Sequence, residues 1–139
     1  MSDNQQLTSI IKKLCATGYQ YYDQGDYDQA LRTFYQAWVQ LPKPQTDFPQ
    51  AGWTLAAIGD CYFKMGKQPQ AQQALESCLC CPDMSNSPFV RLRLGQSLLD
   101  SGQVAAARKQ LLKAYQLAGK DQFQLEAPKY INAIEDLIV

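Results

Sequence analysis

The sequence predicts an all-α fold, a stack of antiparallel helical hairpins. Three observations predict it. First, Gly18, Gly59 and Gly95 are each followed seven residues later by a second glycine, Gly25, Gly66 or Gly102. Second, the same register continues through Ala30, Ala71 or Ala107, then Phe34, Leu75 or Leu111, then Ala37, Cys78 or Ala114. Third, the steps of four and three in that series place the residues on one face of a helix. Each unit therefore reads as a helix, a glycine-assisted turn and a second helix, repeated three times without a slip.

The elements follow in order. The first hairpin is expected at about 6–24 and 27–41, the second at 49–65 and 68–80, and the third at 88–101 and 104–118. Asp26 and Asp28 suit the start of a second helix, where carboxylates cap free N–H groups and meet the positive end of the dipole. The connector LPKPQTDFPQ, residues 41–50, carries three prolines and reads as ordered and stiff. Ser87 and Pro88 read as an N-cap and first-turn proline. Pro128 opens a last helix over about 127–138, whose Tyr130, Ile131, Ile134, Leu137 and Ile138 form an apolar stripe suited to capping the last hairpin.

Gly18, Gly59 and Gly95 fall inside first helices, where glycine costs roughly 1 kcal/mol relative to alanine. Close approach of the two helices is the expected compensation, with Ala30, Ala71 and Ala107 supplying the facing small surface. Tyr21, Tyr62 and Leu98 are expected to fill the space one turn on, as core.

Composition narrows the function. The chain has 139 residues, one domain's worth, with 13 lysines plus arginines balanced by 13 aspartates plus glutamates. No block of like charge would track a phosphate backbone, and no apolar run reaches the length that spans a bilayer, so neither nucleic acid nor membrane is an expected partner. The N-terminal residues lack a signal-peptide pattern, and the expected location is cytoplasmic. Histidine is absent, which removes the commonest general base and zinc-site nitrogen. No phosphate loop, nucleophile elbow or H-E-x-x-H pattern occurs, and the chain is expected to be no enzyme and to need no cofactor or metal. Cys78, Cys80 and Cys81 contain a C-x-x-C spacing, the basis of a remote thiol or metal reading. Cys78, however, takes the small packing position that alanine holds in the other two units.

The three units resemble the tetratricopeptide repeat, whose pattern runs Trp-x2-Leu-Gly-x2-Tyr, then Ala-x3-Phe, then Pro, with Leu14 and Leu55 at the Trp position. Unit one, about 11–42, carries Leu14, Gly18, Tyr21, Ala30, Phe34 and Pro42; unit two, about 52–82, carries Leu55, Gly59, Tyr62, Ala71, Leu75 and Pro82. Unit three, about 88–119, has Leu94, Gly95, Leu98, Ala107 and Leu111, with Gly119 in place of the proline. The resemblance implies a right-handed superhelical stack whose first helices line a concave surface that receives a peptide or partner segment. On that surface it places Tyr19, Tyr22, Trp53, Phe63, Phe89, Arg93 and Gln96. The aromatic character suits an apolar peptide.

The resemblance also speaks on role. Family co-chaperones that capture a C-terminal carboxylate use lysine, asparagine and arginine at positions that here hold Cys15, Tyr19, Ala57, Phe89 and Arg93. Only Arg93 fits, which argues against a two-carboxylate clamp. The groove looks more like that of the small bacterial secretion chaperones that shelter apolar client segments. The expected function is a non-catalytic interaction module or chaperone-like adaptor. The alternatives are a self-association module forming a homodimer through the groove or last helix, and a groove covered by the chain's own segments.

Overall fold

The computed structural model of the chain describes residues 2–138. Among them there are helices and turns and no strands. Within the length expected to be one domain, two compact units separate, one running to Ser85 and one starting at Asn86.

The first unit holds two hairpins. In the first, α1 spans Asp3–Asp23 and α2 spans Tyr27–Val39; in the second, α3 spans Pro49–Lys64 and α4 spans Gln68–Leu79. Within this unit α2 and α1 both pack against α3. Helix α1 starts earlier than the apolar periodicity indicates because of a capping box. Ser2 Oγ accepts from the Gln5 amide at 3.2 Å, and Gln5 Oε1 accepts from the Ser2 amide at 2.9 Å. The connector carries a 3-10 turn at Gln45–Asp47, and Gln45 Nε2 donates to the Trp38 carbonyl at 3.0 Å, tying the connector to the end of α2.

The second unit holds the hairpin of α5, Pro88–Asp100, and α6, Val104–Ala118, followed by a 3-10 turn at Asp121–Phe123 and the short α7, Pro128–Asn132. Ser87 caps α5 by accepting from the Val90 amide at 3.4 Å.

The turns of the three hairpins are alike. Gly25, Gly66 and Gly102 have φ of 80°, 75° and 82°, the left-handed region open to glycine. The amide after each glycine bonds back to the carbonyl of Tyr21, Tyr62 or Leu98 at 2.9 Å, and the glycine amide bonds to Tyr22, Phe63 or Leu99 at 2.9 to 3.0 Å. This is the double bond of a Schellman ending, which satisfies carbonyls the helix would otherwise leave free. Asp26 then caps α2 through Oδ1 to the Gln29 amide at 3.2 Å. Lys67 and Gln103, at the equivalent positions, make no side-chain cap.

All nine residues of the repeated series on the second helices, Ala30 through Ala114, are fully buried. The close approach occurs, but against a different partner than expected. A Cβ at Gly18 would lie 2.3 Å from Phe34 Cε1, at Gly59 2.6 Å from Leu75 Cγ, and at Gly95 2.7 Å from Leu111 Cγ. The large residue of each second helix, not the alanine, sits over the glycine. Packing Phe34 into the glycine's missing side chain buries the whole ring, which contributes about 1.5 to 3 kcal/mol. That outweighs the roughly 1 kcal/mol that glycine costs the helix.

The apolar stripe of 127–138 predicts a helix of that length, and the structure corrects it: α7 ends at Asn132, and a 3-10 turn follows at Glu135–Leu137. The Leu137 amide bonds to Ile134 O, three residues back, at 2.9 Å. This leaves Ala133 O for Arg108 Nη1 at 2.9 Å, and the same guanidinium grips both oxygens of Asp136 at 2.9 and 2.8 Å. Tyr130 and Ile134 are nevertheless buried, so the segment covers apolar surface in two short pieces. Tyr130 donates to Asp100 at 2.8 Å, and burial followed by this bond pushes its phenol above the ordinary value.

Candidate functional site

The seven side chains expected on the first-helix surface fall into three groups. Trp53 and Phe89 are exposed, at 38% and 37% of their area, one in each unit. A cation lies over each ring: Lys12 Nζ at 5.6 Å from the Trp53 ring and Arg93 at 5.1 Å from Phe89. Such stacking leaves one face of each ring occupied by a charge.

Tyr19, Tyr22 and Phe63 are half-buried. Tyr19 packs edge-on to Phe34 at 5.0 Å and to Tyr22 at 5.3 Å, which makes it part of the first hairpin's packing. Tyr22 meets Tyr27 at 5.4 Å and donates its hydroxyl to Asp60 Oδ1 at 3.0 Å, joining α1 to α3. A buried carboxylate such as Asp60 needs donors of this kind. Its charge, after burial, is the second cause that pushes the neighbouring Cys61 thiol up to about 12.

Arg93 and Gln96 are a correction, because both are buried, at 7% and 0% exposed. Their cover is Glu126, which no sequence pattern singled out. Arg93 Nη1 and Gln96 Nε2 both donate to Glu126 Oε1, the second at 2.7 Å, and Arg93 also donates to Gln96 Oε1 at 2.7 Å. Nothing local in QLEAP, residues 124–128, signals this; only knowing that Arg93 is buried would have sent a reader looking for its acid.

A second feature lies between α2, α3 and α4. In the first unit Tyr35, Trp38, Leu55, Ile58 and Tyr62 line a cavity of about 300 Å³. The Tyr35 and Tyr62 hydroxyls meet at 3.0 Å, and burial followed by that bond pushes Tyr35 up to about 12. Tyr62, expected as core, is half-buried and lines this opening.

The thiols are placed as packing groups. Cys78 Sγ donates to Gly52 O at 3.2 Å, and burial, then the neighbouring Cys81, pushes it up to about 12. Cys81 turns to Ser77 O at 3.5 Å and Cys80 is exposed. Among the described residues no three metal-ligating side chains cluster, and no helix is long and apolar enough to cross a membrane.

Threefold hairpins of this register, closed by Schellman turns and packed glycine against a large apolar residue, define a helical-repeat fold. The chain has the tetratricopeptide repeat fold, and residues 57–79 match the tetratricopeptide repeat family itself. No curated protein sequence matches. Among solved structures, the Yersinia enterocolitica type III secretion chaperone SycD, in complex with a peptide of the translocator YopD, superposes with a TM-score of 0.71 at 20% identity, over 98% of this chain and 93% of that one. The first tetratricopeptide domain of human RPAP3 gives 0.72 at 16% identity, over 91% and 94%. PcrH, in complex with the chaperone binding region of PopD, gives 0.67 at 19% identity, over 96% and 85%.

Proposed function

We propose that the chain is a non-catalytic, cytoplasmic protein-interaction module, a small chaperone-like adaptor that receives a peptide or partner segment on the first helices of its hairpins. The observation that carries the reading is the pair of outward aromatics, Trp53 on α3 and Phe89 on α5. Large, partly exposed rings held on helices are the anchors on which segment recognition concentrates. The similar solved structures support the class of partner, since SycD and PcrH were each solved with a segment of another protein. Within the first unit Tyr19 and Tyr22 are engaged in ring packing and Phe63 is half-buried, and in the second Arg93 and Gln96 are held by Glu126. Cys61 and Cys78, both pushed up to about 12, are thiols that burial holds protonated, which suits packing and not catalysis.

The test compares tagged wild-type chain with Trp53→Ala and Phe89→Ala in capture from native cell extract, read by mass spectrometry, with a thermal melt for each variant. The expected result is one set of proteins lost from both variants while the melts stay close to wild type. Identical recovery by all three chains would sink the proposal. Self-association through the groove or the C-terminal segment is the second reading, favoured by the exposed Leu137. A sedimentation series that gives monomer at every concentration removes it.

A further inference from the structure

The cavity of the first unit is walled by one face from each of three helices, since both α2 and α4 pack on α3. Its rings, Tyr35 and Trp38 from α2 and Tyr62 from α3, stand above the aliphatic Leu55 and Ile58. The α4 wall is different in kind: Gln70 and Gln73, three residues apart and so on one face, bring side-chain amides to the cavity. Among the described residues neither amide has a hydrogen-bond partner within the chain. Tyr35 and Tyr62 meet edge to face, ring centres 6.5 Å apart and hydroxyls at 3.0 Å. A bond between two hydroxyls uses one of their two protons and leaves the other to donate elsewhere.

No lysine, arginine, aspartate or glutamate is among the lining residues, and Tyr35, pushed up to about 12, is a neutral phenol at physiological pH. A charged group would enter without a counter-charge, which disfavours it. The volume of about 300 Å³ lies at the small end of ligand cavities and suits one or two fused rings. A glutamine amide presents a donor beside an acceptor, the arrangement that pairs with a planar ring edge carrying the reverse order.

We propose that this cavity binds a small uncharged planar heterocycle whose edge carries a hydrogen-bond donor beside an acceptor, the chemistry of a free nucleobase. The ring packs against Trp38 and the tyrosine pair, and its edge meets the amides of α4. A phosphate finds no cation on these walls, which separates a free base from a nucleotide or a strand. The tyrosine side chain of a partner carries donor and acceptor on one atom and meets only one arm of a glutamine amide, so the free heterocycle is the better match. The site uses α2 and α4 and goes beyond the reading of the first helices as a partner surface.

The probe is adenine, titrated into the full chain and read by tryptophan emission. The chain has two tryptophans, so Trp53→Phe leaves Trp38 as the reporter. A saturable change in Trp38 emission is expected, with a Kd on the order of 0.1 to 1 mM. Gln70 and Gln73 are exposed, so replacing both with leucine leaves the core untouched. That double variant should bind adenine about tenfold more weakly, whereas indole, whose edge has a donor and no acceptor, should bind both chains alike. No saturable change with adenine, or equal adenine affinity in the double variant, overturns the proposal. Tighter binding of N-acetyltyrosinamide than of adenine assigns the cavity to a partner's side chain and overturns the free ligand. If Trp53→Phe does not fold, the wild-type emission change and its weakening by the double variant decide in the same way.

Discussion

Gly95→Ala separates the packing account from helix propensity, because the two predict opposite signs. Propensity alone makes alanine better than glycine inside α5 by about 1 kcal/mol. The structure places the new Cβ 2.7 Å from both Cγ and Cδ2 of Leu111 and 3.1 Å from the Leu111 amide nitrogen. Ordinary carbon contacts lie at about 3.5 to 4.0 Å, so roughly 1 Å of separation must open. Leu111 is fully buried and the nearest atoms include its branch carbon and backbone, so a rotamer change alone does not make room. Overpacking of this kind costs about 1 to 3 kcal/mol, occasionally more, which against the propensity gain leaves a net loss of up to about 2 kcal/mol. Urea unfolding followed by circular dichroism measures it as a lower midpoint at unchanged slope. Leu111→Ala alone should cost about 2 to 5 kcal/mol. In the double variant the new methyl at position 95 enters vacated space, so the pair should lose about 1 to 3 kcal/mol less than the sum of the single losses. A stabilised Gly95→Ala, or strict additivity with Leu111→Ala, would refute the close-approach argument.

Three further outcomes are expected. Asp26→Ala should lose about 1 kcal/mol with the α2 cap, while Lys67→Asp and Gln103→Asp should each gain a comparable amount, all read by urea midpoints. Iodoacetamide at pH 8 should modify the exposed Cys80 well before Cys61 and Cys78, whose buried thiols react only on unfolding, as peptide mass mapping would show. The hydrogen bonds from Arg108 hold the Asp136 carboxyl below the ordinary value. A depressed folded value gives stability that is present above the unfolded value of about 4 and lost as pH falls through the folded one. The melting difference between wild type and Asp136→Asn should therefore be present at neutral pH and close on acidification; a constant difference would show that the carboxylate's charge contributes nothing.

The hairpins were legible because each repeats the same local chemistry three times: a turn glycine, a small residue and a large one at helical spacing. Gly18, Gly59 and Gly95 announced a close approach, but not which side chain crossed over them. The small alanines were the natural guess, and only the three-dimensional path puts Phe34, Leu75 and Leu111 there. The last helix was overread because a helical apolar stripe does not reveal that Arg108 will take the Ala133 carbonyl. Among the site residues that the register put on one surface, Trp53 and Phe89 are exposed. Tyr19 and Tyr22 share that register yet are half-buried in ring packing and a bond to Asp60, since position on a face says nothing about neighbours from other helices. Arg93 and Gln96 were placed on the right helix, but Glu126, about 30 residues away in sequence, decides their exposure.

The most direct test of the first-helix surface is photo-crosslinking in the native cell, with Trp53→benzoylphenylalanine compared against the same replacement at Val39 on α2. Both positions are exposed, at 38% and 69%, and differ in the face they report. The account predicts a discrete adduct larger than the chain from position 53 and none of that mass from position 39. Adducts from position 39 alone, or only a band of twice the chain's mass from position 53, would contradict it.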